Sequence, residues 1–209
     1  MYYRIQTFEI VEQSNFRVYV DKMTRLLKGI GLWNNEIEEA FSEFTWAVED
    51  DGRVLSPFCS ARRYYQTSYI DIPPICPFFI FITPYLHPYV KHNWVLIEFL
   101  FEVQNLRDPN KNNFYPATYP LIRQITSLIW QEFKTCGIYF IDDDIEDEDW
   151  DRVRLEQPTE EWNFDYAIIP NHLKALYKNC PKTHQIKQHD DYFEAWYTGA
   201  GRWQDPKLW

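Results

Sequence analysis

Glycine is scarce in this 209-residue chain, six in all, and there are only two methionines. Few glycines means few turns built on left-handed backbone. No CxxC spacing links the four cysteines Cys59, Cys76, Cys136 and Cys180. That excludes the usual zinc-ribbon and thioredoxin-type signatures, and with no basic-then-apolar leader at the N-terminus it favours free thiols in the cytoplasm. The longest apolar run, 75–86, is broken by Pro77 and Pro84 and is too short to span a bilayer. GxSxG, GxGxxG, HExxH and the P-loop pattern are all missing, so no common catalytic or nucleotide-binding motif is present. No cofactor is implied.

Aromatic residues are abundant at 19%, and apolar residues make up 45%. A chain of this length buries a sizeable core, here packed with rings. The reading is one globular domain over 1–209, with the polar, proline- and asparagine-rich stretch 105–117 as a possible break between subdomains.

The clearest element lies between Pro120 and Cys136. Leu121, Ile122, Ile125, Leu128, Ile129 and Phe133 recur at steps of three and four, which predicts one apolar helix face. Pro120 suits the first turn and Gly137 the position just past the last. Ile138–Ile141 then reads as a short buried strand. Other expected strands are 1–11, 64–72, 78–83 and 166–169, with prolines confining 78–83 to a short strand at an edge or a bulge; 91–104 allows a buried helix or a long strand, and its branched and aromatic content favours the strand. Helices are expected near 20–30, after Asn34 or Asn35, and from Asn171 to Asn179. Asp51-Gly52 marks a hairpin turn. These elements predict an α+β fold: a mostly antiparallel sheet covered by several helices, with an aromatic-rich core.

Charge is distributed unevenly. Eight of the ten residues from Asp142 to Asp151 are acidic. The chain has 31 acidic and 21 basic residues, a net charge of −10, and without these eight the balance is 23 to 21. A strongly acidic chain is poorly suited to nucleic acid backbones. The block fails the EF-hand pattern, having Asp147 where glycine belongs and Val153 in place of the closing glutamate. The leading expectation is a non-enzymatic protein of the inhibitor or immunity type. It would recognise a basic protein partner through Asp144, Glu146, Asp147, Glu148, Asp149 and Trp150, because complementary charge speeds encounter and an aromatic can fill a pocket. One alternative is a Mg²⁺-dependent hydrolase or nuclease using Asp142 and Asp144 at the end of the 138–141 strand. Another is a structural subunit that self-associates through its aromatic C-terminal tail, which carries Trp203 and Trp209. Cys180-x-x-x-His184 resembles a metal half-site only if further ligands arrive from elsewhere.

Overall fold

The computed structural model describes residues 2–42, 45–47, 63–68, 72–82, 91–108, 110–111, 113–142, 162–199 and 202–203. Seven strands form one antiparallel sheet in the order β2-β3-β1-β4-β5-β7-β6. They are β1 (Tyr2–Ile10), β2 (Cys76–Ile82), β3 (Trp94–Glu102), β4 (Ile138–Asp142), β5 (Tyr166–Pro170), β6 (His184–Gln188) and β7 (Tyr192–Tyr197). The helices are α1 (Phe16–Ile30), α2 (Asn35–Ser42), the single turn α3 (Val103–Leu106) and α4 (Thr118–Glu132). The fold is α+β with an aromatic-rich core. No helix among the described residues is long and apolar enough to cross a membrane.

Strand alternation sorts the side chains onto two faces. Tyr3, Ile5, Phe99, Phe101, Ile138, Phe140, Tyr166 and Trp196 face the helices and join the buried faces of α1 and α4 in the main core. A smaller cluster, with Tyr139, Ile141, Phe164, Ile169 and Phe193, occupies the opposite face. Arg25 and Glu132 tie α1 to α4 through a two-pronged pair at 2.8 and 3.0 Å. β1 is central: β3, before the 105–117 stretch, pairs with one of its edges, and β4, after that stretch, with the other.

Several expectations from the sequence hold locally. Asn34 caps α2, its Oδ1 accepting the Ile37 N–H at 3.0 Å. Gly31, at φ 80°, closes α1 with N–H bonds back to the last turn. β2 lies at a sheet edge and β3 is a strand.

Others do not. α4 stops at Glu132, and Phe133 after it is extended, so Gly137 is not its left-handed cap. Gly137 is needed for space instead: a Cβ there would run into the Tyr139 ring, whose hydroxyl is held by Tyr177 at 2.7 Å. The 64–72 stretch contributes only an isolated bridge from Tyr65 to Ile75 within its described part. The 171–179 helix is a shorter 3-10 helix, Asn171–Leu176, with no residue fully buried. The β6–β7 hairpin carries no glycine at its Asp190-Asp191 turn and was not expected. The hairpin proposed around Asp51-Gly52 lies outside the described residues.

Candidate functional site

Asp142 and Asp165 stand at the same end of two neighbouring strands. Asp142 closes β4 opposite Tyr3 of β1. Asp165 immediately precedes β5, and its N–H donates to the Phe140 carbonyl at 2.9 Å. Both carboxylates are buried, and two arginines from distant parts of the chain meet them. Arg202 Nη2 donates to Asp165 Oδ2 at 2.8 Å, and its Nε stands 2.7 Å from Oδ1 as an ion-pair contact. The same Nη2 is 4.0 Å from Asp142 Oδ2, and Arg107 Nη2 is 3.8 Å from that oxygen. Two cations thus oppose two anions. Arg107 also lies over the Tyr3 ring and Arg202 over Phe114, so each guanidinium is packed against an aromatic as well as paired.

Electrostatics follow from burial. Loss of solvent pushes the Asp165 carboxyl above the ordinary carboxylate range, while Arg202 pulls against that shift. Burial and the nearby Asp165 push the Tyr3 phenol up. Its hydroxyl has no hydrogen-bond partner among the described residues. Against the opposing effect of burial, the Asp165 carboxylate holds Arg202 above the ordinary guanidinium value. Two guanidinium groups packed against two buried carboxylates make this cluster a clamp. The clamp holds the two positions between which residues 143–161 run.

Beside it lies an open cleft of about 180 Å³, lined by Trp162, Asn163, Phe164, Asp165, Tyr197 and Arg202. His184 forms part of the aromatic packing under this cleft, with ring centres 5.2 to 5.3 Å from Trp162, Phe164 and Tyr197. Its Nε2 donates to the Phe164 carbonyl at 3.1 Å, since a carbonyl can only accept. Nδ1, 3.1 Å from Thr183 Oγ1, is then the acceptor in the neutral ring. Burial lowers the imidazole below its ordinary 6.5. The unfolded chain therefore takes up this proton first, and stability is lost as pH falls through about 6.5. His184→Gln is expected to melt less pH-dependently than the parent between pH 7 and 5; parallel melting curves for the two would contradict this.

A further buried carboxylate, Glu194 on β7, meets Arg123 of α4 at 3.1 Å and His189 at 3.0 Å on the helix-facing side of the sheet. It ties α4 to the C-terminal hairpin.

Of the residues singled out from sequence, Asp142 is at the clamp. Asp144, Glu146, Asp147, Glu148, Asp149 and Trp150 lie outside the described residues. Asp165, Arg107 and Arg202 gave no signal in the sequence, since no motif spaces them. Cys180 and His184 do not converge on one point: the Cys180 thiol lies 3.5 Å from the His184 main-chain carbonyl, while the imidazole turns to Phe164. Cys136 and Cys180 are free thiols, and burial raises both. Among the described residues no three His, Cys, Asp or Glu side chains gather as a metal set would. The chain matches no model of a known protein family, no curated protein and no solved structure.

Proposed function

We propose that this is a non-enzymatic, cytoplasmic binding protein of the inhibitor or immunity type, which recognises a basic protein partner through the acidic segment after β4. The contact residues are Asp144, Glu146, Asp147, Glu148, Asp149 and Trp150. The observation that carries this reading is the clamp. Residues 143–161 contain ten carboxylates against two arginines, leaving 21 acidic and 19 basic residues elsewhere. The positions flanking this stretch are fixed in the sheet by Arg107 and Arg202. A concentrated negative field rooted in a rigid framework favours fast, steered encounter with a cationic surface. Fixing the roots also reduces the ordering cost on binding.

The clamp weighs against a Mg²⁺-dependent hydrolase or nuclease built on Asp142 and Asp144. An ion at Asp142 would face the like charges of Arg107 and Arg202, which already meet that carboxylate.

The test is charge reversal. Asp147→Lys, Glu148→Lys and Asp149→Lys together are expected to abolish capture of basic proteins by the immobilised chain at about 50 mM salt. Capture by the parent should itself fade above roughly 0.5 M salt, where screening reaches a few ångströms. Equal capture by parent and triple variant would overturn the proposal. Unchanged melting of the variant establishes that the fold is intact.

A further inference from the structure

The open edge of β6 offers a second surface, of opposite charge. Among the described residues β6 is the last strand of the sheet and pairs with β7 alone. Its four residues Gln185, Ile186, Lys187 and Gln188 are all exposed. The bonding pattern fixes which main-chain groups point outward. The Thr198 N–H donates to the Thr183 carbonyl at 2.7 Å and the His189 N–H to the Tyr192 carbonyl at 2.8 Å, so Thr183 and His189 are bonded positions facing β7. Antiparallel alternation makes Gln185 and Lys187 bonded positions too, and turns the N–H and C=O of Ile186 and Gln188 away from the sheet. Among the described residues nothing accepts or donates there. The equivalent outward groups of His184 are occupied, the N–H by the Pro181 carbonyl and the carbonyl by the Cys180 thiol.

The flanks of this edge are basic. From His172 to His189 the chain carries Lys174, Lys178, Lys182 and Lys187, three histidines and no carboxylate. In a protein of net charge −10 that is a local reversal. Lys174 is held beside the strand by Gln188 Oε1 at 2.8 Å, and Asn171 Oδ1 accepts from the Gln188 amide at 2.8 Å. Gln188 at the end of β6 is thereby braced from outside the hairpin. Ile186, 42% exposed, stands at its centre as an apolar foothold on the face opposite the helices.

We infer that the β6 edge binds an extended acidic peptide strand by sheet augmentation. The Ile186 and Gln188 main-chain groups would make the ladder bonds, and Lys174 and Lys187 would select carboxylate side chains. This inference does not depend on the role proposed for the acidic segment.

The probe is a labelled synthetic peptide of alternating glutamate and valine. It is expected to bind the full chain and to slow amide exchange at Ile186 and Gln188. Ile186→Pro removes only an outward N–H and leaves the β6–β7 ladder whole. It should weaken binding at least tenfold, about 1.4 kcal/mol, as should N-methylation of alternate peptide amides. Lys187→Glu should weaken it in a salt-dependent manner. The proposal fails if the peptide does not bind at about 1 mM, a level corresponding to only some 4 kcal/mol. It fails equally if Ile186→Pro and N-methylation leave affinity unchanged, which would reduce the edge to a polyanion-binding patch. Edge-to-edge dimerisation of the chain that excludes the peptide would also overturn it. Melting of Ile186→Pro close to the parent establishes that the hairpin survives the substitution.

Discussion

Arg202→Ala is expected to destabilise the fold by about 3–5 kcal/mol, the usual cost of stripping one partner from a buried ion pair. For a chain of this size that is a drop of roughly 10 °C in melting temperature. The reason is what stays behind. Asp165 is only 5% exposed in its side chain, and Arg202 supplies a short charge-assisted bond and a second close ion contact. Without them the carboxylate is left buried with Arg107 and Asp142 as its charged neighbours. Asp165 already titrates above the ordinary range, and removing Arg202 raises it further. A carboxyl whose folded pKa lies above its unfolded one stabilises at low pH and ceases to as pH rises through the folded value. The deficit of Arg202→Ala should therefore be largest at neutral pH and narrow on acidification. Arg202→Lys retains the charge but loses the planar two-nitrogen approach to the carboxylate, and should fall between. Adding Asp165→Asn to Arg202→Ala removes the stranded charge and should recover at least about 1 kcal/mol, a coupling that a double-mutant cycle reads directly. A loss under about 1 kcal/mol for Arg202→Ala, constant from pH 5 to 8, would remove the clamp from the account.

The clamp also marks the limit of what the sequence discloses. Helix α4 and strand β4 are legible because their signals are local: a repeat of three and four in one, a β-branched and aromatic run in the other. The acidic block is legible as composition. Its first residue is not, since nothing nearby distinguishes Asp142 from Asp143. The structure separates Asp142 by position: it completes β4, lies opposite Tyr3 and is met by Arg107 and Arg202. Those arginines come from the turn after α3 and from beyond β7, so no spacing rule reaches them.

The β6–β7 hairpin was hidden for a related reason. A two-residue turn usually announces itself with glycine or asparagine, and this one has Asp190-Asp191. Its support comes from elsewhere in the chain. The Asn171 side chain donates to the Asp190 carbonyl at 2.7 Å, and the Gln188 amide donates to the His189 and Tyr192 carbonyls at 2.8 and 3.1 Å. Asparagine at the start of a helical stretch suggests a cap, but the Asn171 side chain is turned to the hairpin instead. Gly137 shows the same limit at a single residue: its position after a helical pattern suggested a cap, but the space taken by the Tyr139 ring is a tertiary fact.

Trp203→Ala carries the second large effect, about 3–5 kcal/mol by the usual cost of truncating a buried aromatic. The indole is 9% exposed and sits among Phe114, Tyr119 and Phe140, with ring centres at 4.4, 5.8 and 6.2 Å. Its neighbour fixes the approach, since the Arg202 carbonyl accepts the Phe114 N–H at 2.9 Å while the Arg202 side chain grips Asp165. Residues 202 and 203 thus fasten the chain end to the core and the clamp together. That placement bears on self-association through the C-terminal tail, because Trp203 is spent on packing within its own chain. Deleting 201–209 should therefore lower the melting temperature at least as far as Trp203→Ala does. The loss should be the same at about 5 and 500 μM protein, because no subunit contact is being broken. Addition of Arg202→Ala to Trp203→Ala should fall short of the sum of the two, since both substitutions release the same segment. A melting temperature that rises with concentration in the parent and not in the deletion would instead place the tail between molecules.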